Sequence, residues 1–132
     1  MATFKDFEEL EIFQLARRQC QLIWQASREG SFARDFALLD QINRASGSVM
    51  DNIAEGQQRG GNKEFSHFLS IARGSNGEVR SQLMRAQDRT HITSTTAAEI
   101  ITINIEIGVK TTRLMQHLGR SKITGAKFKT EK

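Results

Sequence analysis

The sequence has no proline and no tyrosine, and its 132 residues contain a single cysteine, Cys20. Without proline, nothing forces a break inside a long helix. A lone cysteine cannot form an intramolecular disulfide, and Cys20 has no partners at metal-ligand spacing, which suits a reducing compartment. These absences favour a helical protein that does not depend on disulfides.

Long hydrophobic runs are also absent from the sequence. The apolar runs span only a few residues, far fewer than the roughly 20 that cross a bilayer, and Met1 to Asp6 do not form the apolar segment of a secretion signal. We therefore expect a cytoplasmic protein that does not contact membranes. A chain of 132 residues predicts one domain with one core.

The positive charge is unevenly distributed along the chain. The net charge is +4, yet the basic and acidic residues of the segment 1–119 cancel, so the whole excess lies after it. We predict a helical domain over residues 1–118 and a basic, flexible tail over residues 119–132. The tail could contact phosphates, or it could simply be solvated.

Hydrophobic periodicity predicts four amphipathic helices, over about residues 8–28, 31–56, 62–89 and 97–118. Their predicted N-terminal caps are Ser31, Asn62 and the pair Thr96 and Glu99, and their predicted stops are Gly30, Gly56 and Gly119. The core face of the first helix is predicted to contain Ile12, Phe13, Ala16, Cys20, Ile23, Trp24 and Ser27.

The fourth segment also alternates like a half-buried strand, with isoleucine at 101, 103, 105 and 107. A lone strand would leave its backbone groups without partners, which decides for a helix. Four helices of about 20 residues with short connections predict an all-α protein, an antiparallel up-and-down four-helix bundle.

Two of these helices have a second face that a bundle core does not need. Glycine inside a water-exposed helix costs about 1 kcal/mol relative to alanine. Close packing against another chain would explain the glycines at positions 74 and 77. We predict an oligomer interface built from a small-residue strip, Ser66, Ser70, Gly74, Gly77 and Ser81, and an apolar patch, Ile101, Ile105 and Val109. The alternative is a wide core within one chain.

Catalytic patterns are weak throughout the sequence. Glu64 and His67 have half of the spacing of a di-iron site, but a second such pair is missing. Cys20 lies on a core face with no histidine placed to activate it. We therefore predict no catalytic residue, no metal, no cofactor and no enzymatic activity.

A basic stripe on the fourth helix continues into the tail. Its candidate nucleic-acid-binding residues are Lys110, Arg113, His117, Arg120, Lys122, Lys127 and Lys129. Arg73, Arg80, Arg85 and Arg89 could widen it, although Glu78 and Asp88 dilute their charge. The alternative is an ordinary solvated helix face. Because the aromatic residues are predicted to lie in the core, base stacking is not expected.

Two segments of the chain, Asn52 to Gly56 and Lys63 to Glu78, contain a set of motif residues: Asn52, Glu55, Gly56, Lys63, Glu64, Phe65, Gly74, Ser75 and Glu78. Through these segments the chain resembles the 23S rRNA intervening-sequence protein family, bacterial four-helix-bundle proteins whose fold is similar to that of the accessory variability protein of diversity-generating retroelements. The resemblance covers about residues 7–118.

The resemblance implies a ring-shaped homopentamer without catalytic residues, and it suggests RNA or a nucleic-acid enzyme as a partner. Our leading hypothesis is a homo-oligomeric protein that binds RNA through the fourth helix and the tail. The alternative is a scaffold that binds a partner protein, through outer faces or through its acidic N-terminal residues Asp6, Glu8, Glu9 and Glu11. A metal-dependent bundle enzyme would be a third possibility and would need Glu64 and His67.

Overall fold

The computed structural model describes Phe7 and residues 10–125, with side chains described as far as Arg120. The helices are α1 (Glu11–Ser27), α2 (Phe36–Arg59), α3 (Asn62–Asp88) and α4 (Ser94–Gly125), and one 3₁₀ turn, Phe32–Arg34, precedes α2. Each helix packs against its neighbours in the chain, and α1 also packs against α4. The all-α four-helix bundle is confirmed, and the fourth segment is a helix.

The core lies along the bundle axis and follows the predicted periodicity. Ile42, Val49 and Ile53 of α2 are fully buried, as are Leu69 and Val79 of α3. The other buried apolar residues include Ala16, Ile23, Leu38, Ala72, Leu83, Ala86, Ile100 and Ile107. Every helix contributes one stripe to this cluster, which is what an amphipathic helix in a bundle requires.

The predicted helix caps were wrong because nearby residues are better placed. The side chain of Asp35, not Ser31, accepts the Leu38 N–H at the start of α2. Gly61 occupies the N-cap position of α3. At the start of α4 the Thr93 hydroxyl accepts the Thr96 N–H at 3.1 Å, so Thr93 replaces the predicted Thr96 and Glu99 box.

Two predicted helix stops also differ from the structure. α2 passes Gly56 and ends at Arg59, because Gly60 adopts the left-handed conformation (φ 92°) of a C-terminal cap. α4 passes Gly119 and reaches Gly125, so it crosses the predicted boundary at residue 118. One glycine costs a helix only about 1 kcal/mol, which favourable neighbours such as Arg120 can offset. The tail beyond Gly125 lies outside the described residues.

The buried face of α1 differs from the predicted one at three positions. Gln19 is fully buried, Cys20 is only partly buried, and Trp24 is 52% exposed. The predicted core face was too wide, since Trp24 lies about 100° from Ile23 around the helix. Within residues 10–125, no helix has both the length and the apolar character of a membrane span.

Candidate interaction surfaces

The small-residue strip of α3 lies on the surface of the chain. Ser70, Gly74, Gly77 and Ser81 are exposed, and Ser66 is half-buried. A Cβ atom added to Gly74 or Gly77 would meet nothing within 4 Å. Packing within the chain therefore does not require glycine at either position.

The apolar patch of α4 is exposed at two of its three predicted residues. Ile105 is 46% exposed and Val109 is 44% exposed, whereas Ile101 is half-buried and packs against the core. Exposed β-branched side chains neither favour the helix nor bury apolar area. Ile105 and Val109 are therefore the part of the patch that is available to another molecule.

A groove of about 550 Å³ runs between α3 and α4. We call it the arginine groove, defined by Arg73 and Arg80 of α3 and by Ile105, Val109 and Arg113 of α4. Its remaining lining residues are Gly108, Thr112 and Gln116, so no carboxylate lines it. Arg73 Nη1 donates to Thr112 Oγ1 at 3.1 Å. The groove combines an apolar wall with three positive charges.

One of the two acidic residues that were expected to dilute the α3 arginines, Glu78, lines a different groove, between α2 and α3. Arg85 does not belong to the predicted patch, because it donates to Gln41 at 3.0 Å. Arg89 does not belong to it either, because it pairs with Asp35 at 2.8 Å. Only Arg73 and Arg80 therefore join Arg113.

Lys110, the first residue of the predicted basic stripe of α4, is paired with two carboxylates. Lys110 Nζ lies 3.0 Å from Glu11 of α1 and 3.7 Å from Glu106. The hydrogen bond to Glu11 is the main reason that the pKa of Lys110 is raised. Lys110 is thus already neutralised by carboxylates, whereas Arg113 faces the arginine groove.

The rest of the predicted stripe lies towards the C-terminal end of α4. His117 is half-buried and Arg120 is exposed. The side chains of Lys122, Lys127 and Lys129 lie outside the described residues. The structure therefore places Arg113, His117 and Arg120 on one helix, spaced by four and three residues.

A polar network in the middle of the core was not predicted from the sequence. Gln19, Asn76 and Asn104, from α1, α3 and α4, are at most 3% exposed. Asn104 Nδ2 donates to Gln19 Oε1 at 2.9 Å, and to the backbone and side-chain oxygens of Asn76 at 2.9 and 3.1 Å. In return, Asn76 Nδ2 donates to the backbone oxygen of Asn104 at 2.8 Å. This network fixes three helices in register.

A second polar cluster joins the two loops at one end of the bundle. Asp35 Oδ2 accepts from Arg89 at 2.8 Å and lies 2.9 Å from His91 Nε2, while Ser31 Oγ lies 2.7 Å from His91 Nδ1. The hydrogen bonds from His91 and Arg89 lower the pKa of Asp35 to about 2. The cluster connects the loop before α2 to the loop before α4.

Residues considered for catalysis are not grouped into a reaction centre. Glu64 and His67 are exposed, and the described residues contain no group of three or more histidine, cysteine or acidic side chains placed to bind a metal. Burial is the main reason that the pKa of the Cys20 thiol is raised, which favours the unreactive protonated form.

Four of the nine motif residues of α2 and α3, Asn52, Gly56, Phe65 and Ser75, lie at the contact between these helices. Asn52 Nδ2 donates to Ser48 Oγ at 3.0 Å, and Ser48 Oγ lies 2.9 Å from Ser75 Oγ of α3. Gly56 is buried against Phe65. Other motif residues, Glu55, Lys63, Glu64, Gly74 and Glu78, are exposed.

The fold and these surfaces define a small four-helix-bundle protein with a polar core network and an arginine-lined groove. The sequence model of the 23S rRNA-intervening sequence protein family matches residues 8–113, and the chain belongs to this family. The match covers α1 to α3 and most of α4, and His117, Arg120 and the tail follow it in the chain. No curated protein matches the sequence.

Proposed function

We propose that this protein is a non-enzymatic homo-oligomer, a ring of five copies that binds RNA. The observation that supports the assembly is the pair of exposed surfaces on α3 and α4, since packing within one chain requires neither of them. A five-fold ring requires two different surfaces of each copy to meet. The small-residue strip of one copy packs against Ile105 and Val109 of the next.

The shapes and charges of the two surfaces support this contact. Gly74 and Gly77 leave open space at the strip, into which branched side chains of another copy can fit. Asp88 and Glu78 flank the strip and are exposed, so they can pair with Arg73 and Arg80 of a neighbouring copy. Arginine is enriched at such interfaces.

The assembly is tested by Gly77→Ala and Ile105→Lys. Both variants should lower the mass measured by light scattering, because a methyl group on the strip or a charge on the patch obstructs the neighbouring copy. Gly77→Ala has open space within the chain, so the protomer should remain folded by circular dichroism.

Two control substitutions match these variants on α2. Gly47→Ala adds the same methyl group at another open glycine, and Ala37→Lys adds the same charge at another exposed residue. Both controls should keep the wild-type mass. If Gly77→Ala and Ile105→Lys also keep it, the interface is assigned to the wrong faces.

The RNA phosphates are contacted by Arg113, His117, Arg120 and the tail lysines 122, 127 and 129. This proposal is supported by charge placement, since Arg113 has no carboxylate beside it in the groove and the excess charge of the chain follows residue 119. Lys110 contributes less, because it would first have to leave Glu11 and Glu106.

The RNA site is tested by truncation after Gly125, which keeps α4 whole and removes Lys127, Lys129 and Lys132. The slope of log K against log salt concentration should become shallower by about 1.4–1.8, as expected for the loss of two phosphate contacts, those of Lys127 and Lys129. Affinity for a structured RNA can be followed by fluorescence anisotropy at several salt concentrations. Arg44→Gln, which removes one charge from α2, should leave the slope unchanged. An unchanged slope after truncation would contradict the role of the tail.

A further inference from the structure

One face of α1 presents an exposed tryptophan between two arginines. Arg17, Gln21, Trp24 and Arg28 are all exposed. Their spacing of four, three and four residues places them within about 60° of one another around the helix. We call these four residues the Trp24 stripe.

The indole of Trp24 is accessible although it is a large aromatic group. It is 52% exposed, and the guanidinium carbon of Arg28 lies 4.9 Å from the ring centroid. This cation–π pair holds the arginine beside the ring without covering the ring completely. A flat ligand can therefore stack on the remaining indole surface or on the guanidinium plane.

The arginines of the Trp24 stripe are not paired with carboxylates of the described residues, unlike four other cations on the bundle. Arg44, Arg59, Arg89 and Lys110 each lie within 4 Å of a carboxylate. Among the described residues, Arg17 and Arg28 have no such ion pair. The nearest acidic residue in the sequence, Glu29, lines a cavity with His91 at the end of the bundle. The stripe therefore keeps two positive charges that are available to an anion.

We propose that the Trp24 stripe is a second site, which binds a single strand of nucleic acid. The Cα atoms of Arg17 and Arg28 lie about 16 Å apart along the helix axis, and their side chains bind phosphates. Trp24 stacks on a base between them, and the Gln21 amide can bond to a base edge. A duplex keeps its base faces stacked internally, so the site selects single strands.

This site deepens the proposed RNA binding, and it rests on that function, but it uses a different helix from Arg113 and the tail. An experiment can therefore refute one of the two proposed sites without refuting the other. The exposure of Trp24 contradicts the expectation that the aromatic residues lie in the core, on which the argument against base stacking depended. A protein partner would bind the same exposed ring. The test distinguishes the two kinds of site, because only a nucleic-acid site responds to isolated oligonucleotides.

The first test is the fluorescence of Trp24, which is the only tryptophan in the chain. The full-length protein is titrated with an unstructured RNA of about 12 nucleotides, with the same sequence as a duplex, and with inorganic polyphosphate. We expect saturable quenching by the single strand and much weaker responses to the duplex and to polyphosphate. No quenching by the single strand, or equal quenching by polyphosphate, overturns the proposal.

The second test measures the affinity of a labelled single strand for variants of the stripe. Trp24→Leu should weaken binding by about 5- to 150-fold, the range found for loss of one base stack, and Trp24→Phe should lose less. The double variant Arg17→Gln with Arg28→Gln should make the salt slope shallower by about 1.4. Phe36→Leu, which removes another exposed aromatic ring, should bind like the wild type.

Truncation after Gly125 separates this inference from the proposed α4 site. Quenching of Trp24 that persists in the truncated protein supports the stripe, whether or not the tail contributes to affinity. RNA binding that depends on the tail but leaves Trp24 fluorescence unchanged and survives Trp24→Leu overturns the stripe and retains the α4 site.

Discussion

Replacing Asn104 with alanine should lower the free energy of unfolding by about 3–5 kcal/mol. The Asn104 amide donates to Gln19 Oε1 and to two oxygens of Asn76, all of them buried in the core. Its removal takes the Asn104 donor from Gln19 Oε1 and opens a cavity between three helices, whereas Asn76 Oδ1 still accepts from Gln19 Nε2 at 3.2 Å. Urea unfolding at one fixed protein concentration measures the loss, since assembly makes stability depend on concentration.

Two further variants separate the network from a general sensitivity of α4. Thr102→Ala removes an exposed hydroxyl that bonds only to Ala98 of its own helix, and it should change stability by less than about 0.5 kcal/mol. Replacing Gln19, Asn76 and Asn104 together with leucine should recover part of the loss, because no polar side chain then remains without a partner. If Asn104→Ala is as mild as Thr102→Ala, the network does not stabilise the bundle.

Gly56→Ala should destabilise the protein by about 1–3 kcal/mol. An added Cβ would lie 2.7 Å from Phe68 Cβ and 3.3 Å from the Phe65 backbone oxygen. Neither atom is the far end of a flexible side chain, so α2 and α3 would have to move apart. This strain outweighs the roughly 1 kcal/mol that alanine gains over glycine inside a helix.

Gly47→Ala is the matched control on the same helix. An added Cβ there meets nothing within 4 Å, so the substitution should raise stability by about 0.5–1 kcal/mol. Thermal and urea unfolding of the two variants should shift in opposite directions. Shifts in the same direction would contradict the close approach of α2 and α3 at Gly56.

The helices and most of the core could be predicted because apolar residues recur with the period of a helix. The caps could not, because several candidate residues precede each helix and only the backbone geometry selects Asp35, Gly61 and Thr93. Gly56 illustrates the same difficulty. A glycine can end a helix or permit a close contact, and the sequence pattern is the same in both cases.

The existence of the polar core network, though not its hydrogen bonds, could have been predicted from the sequence. Gln19 lies between Ala16 and Ile23 on the core stripe of α1, and Asn76 and Asn104 hold equivalent positions on their helices. A buried polar residue needs a partner, so three such residues on three helices predict a network. Its hydrogen bonds could not be predicted, since they depend on how the helices are aligned.

Among the candidate sites, the α3 strip and the α4 patch could be located from the sequence because they depend only on helix periodicity. The pairing of Lys110 with Glu11 could not, because it joins residues about 100 positions apart. The arginine groove likewise requires the packing of α3 on α4. Whether another copy covers these surfaces is still a prediction.

The absolute mass of the wild-type protein in solution, measured by light scattering after nuclease treatment, tests the proposed assembly most directly. A homopentamer predicts a single species of about five times 14.9 kDa, unchanged over a wide range of protein concentration. A mass of 14.9 kDa would contradict the assembly, because Gly74, Gly77, Ile105 and Val109 would then remain exposed in the native protein.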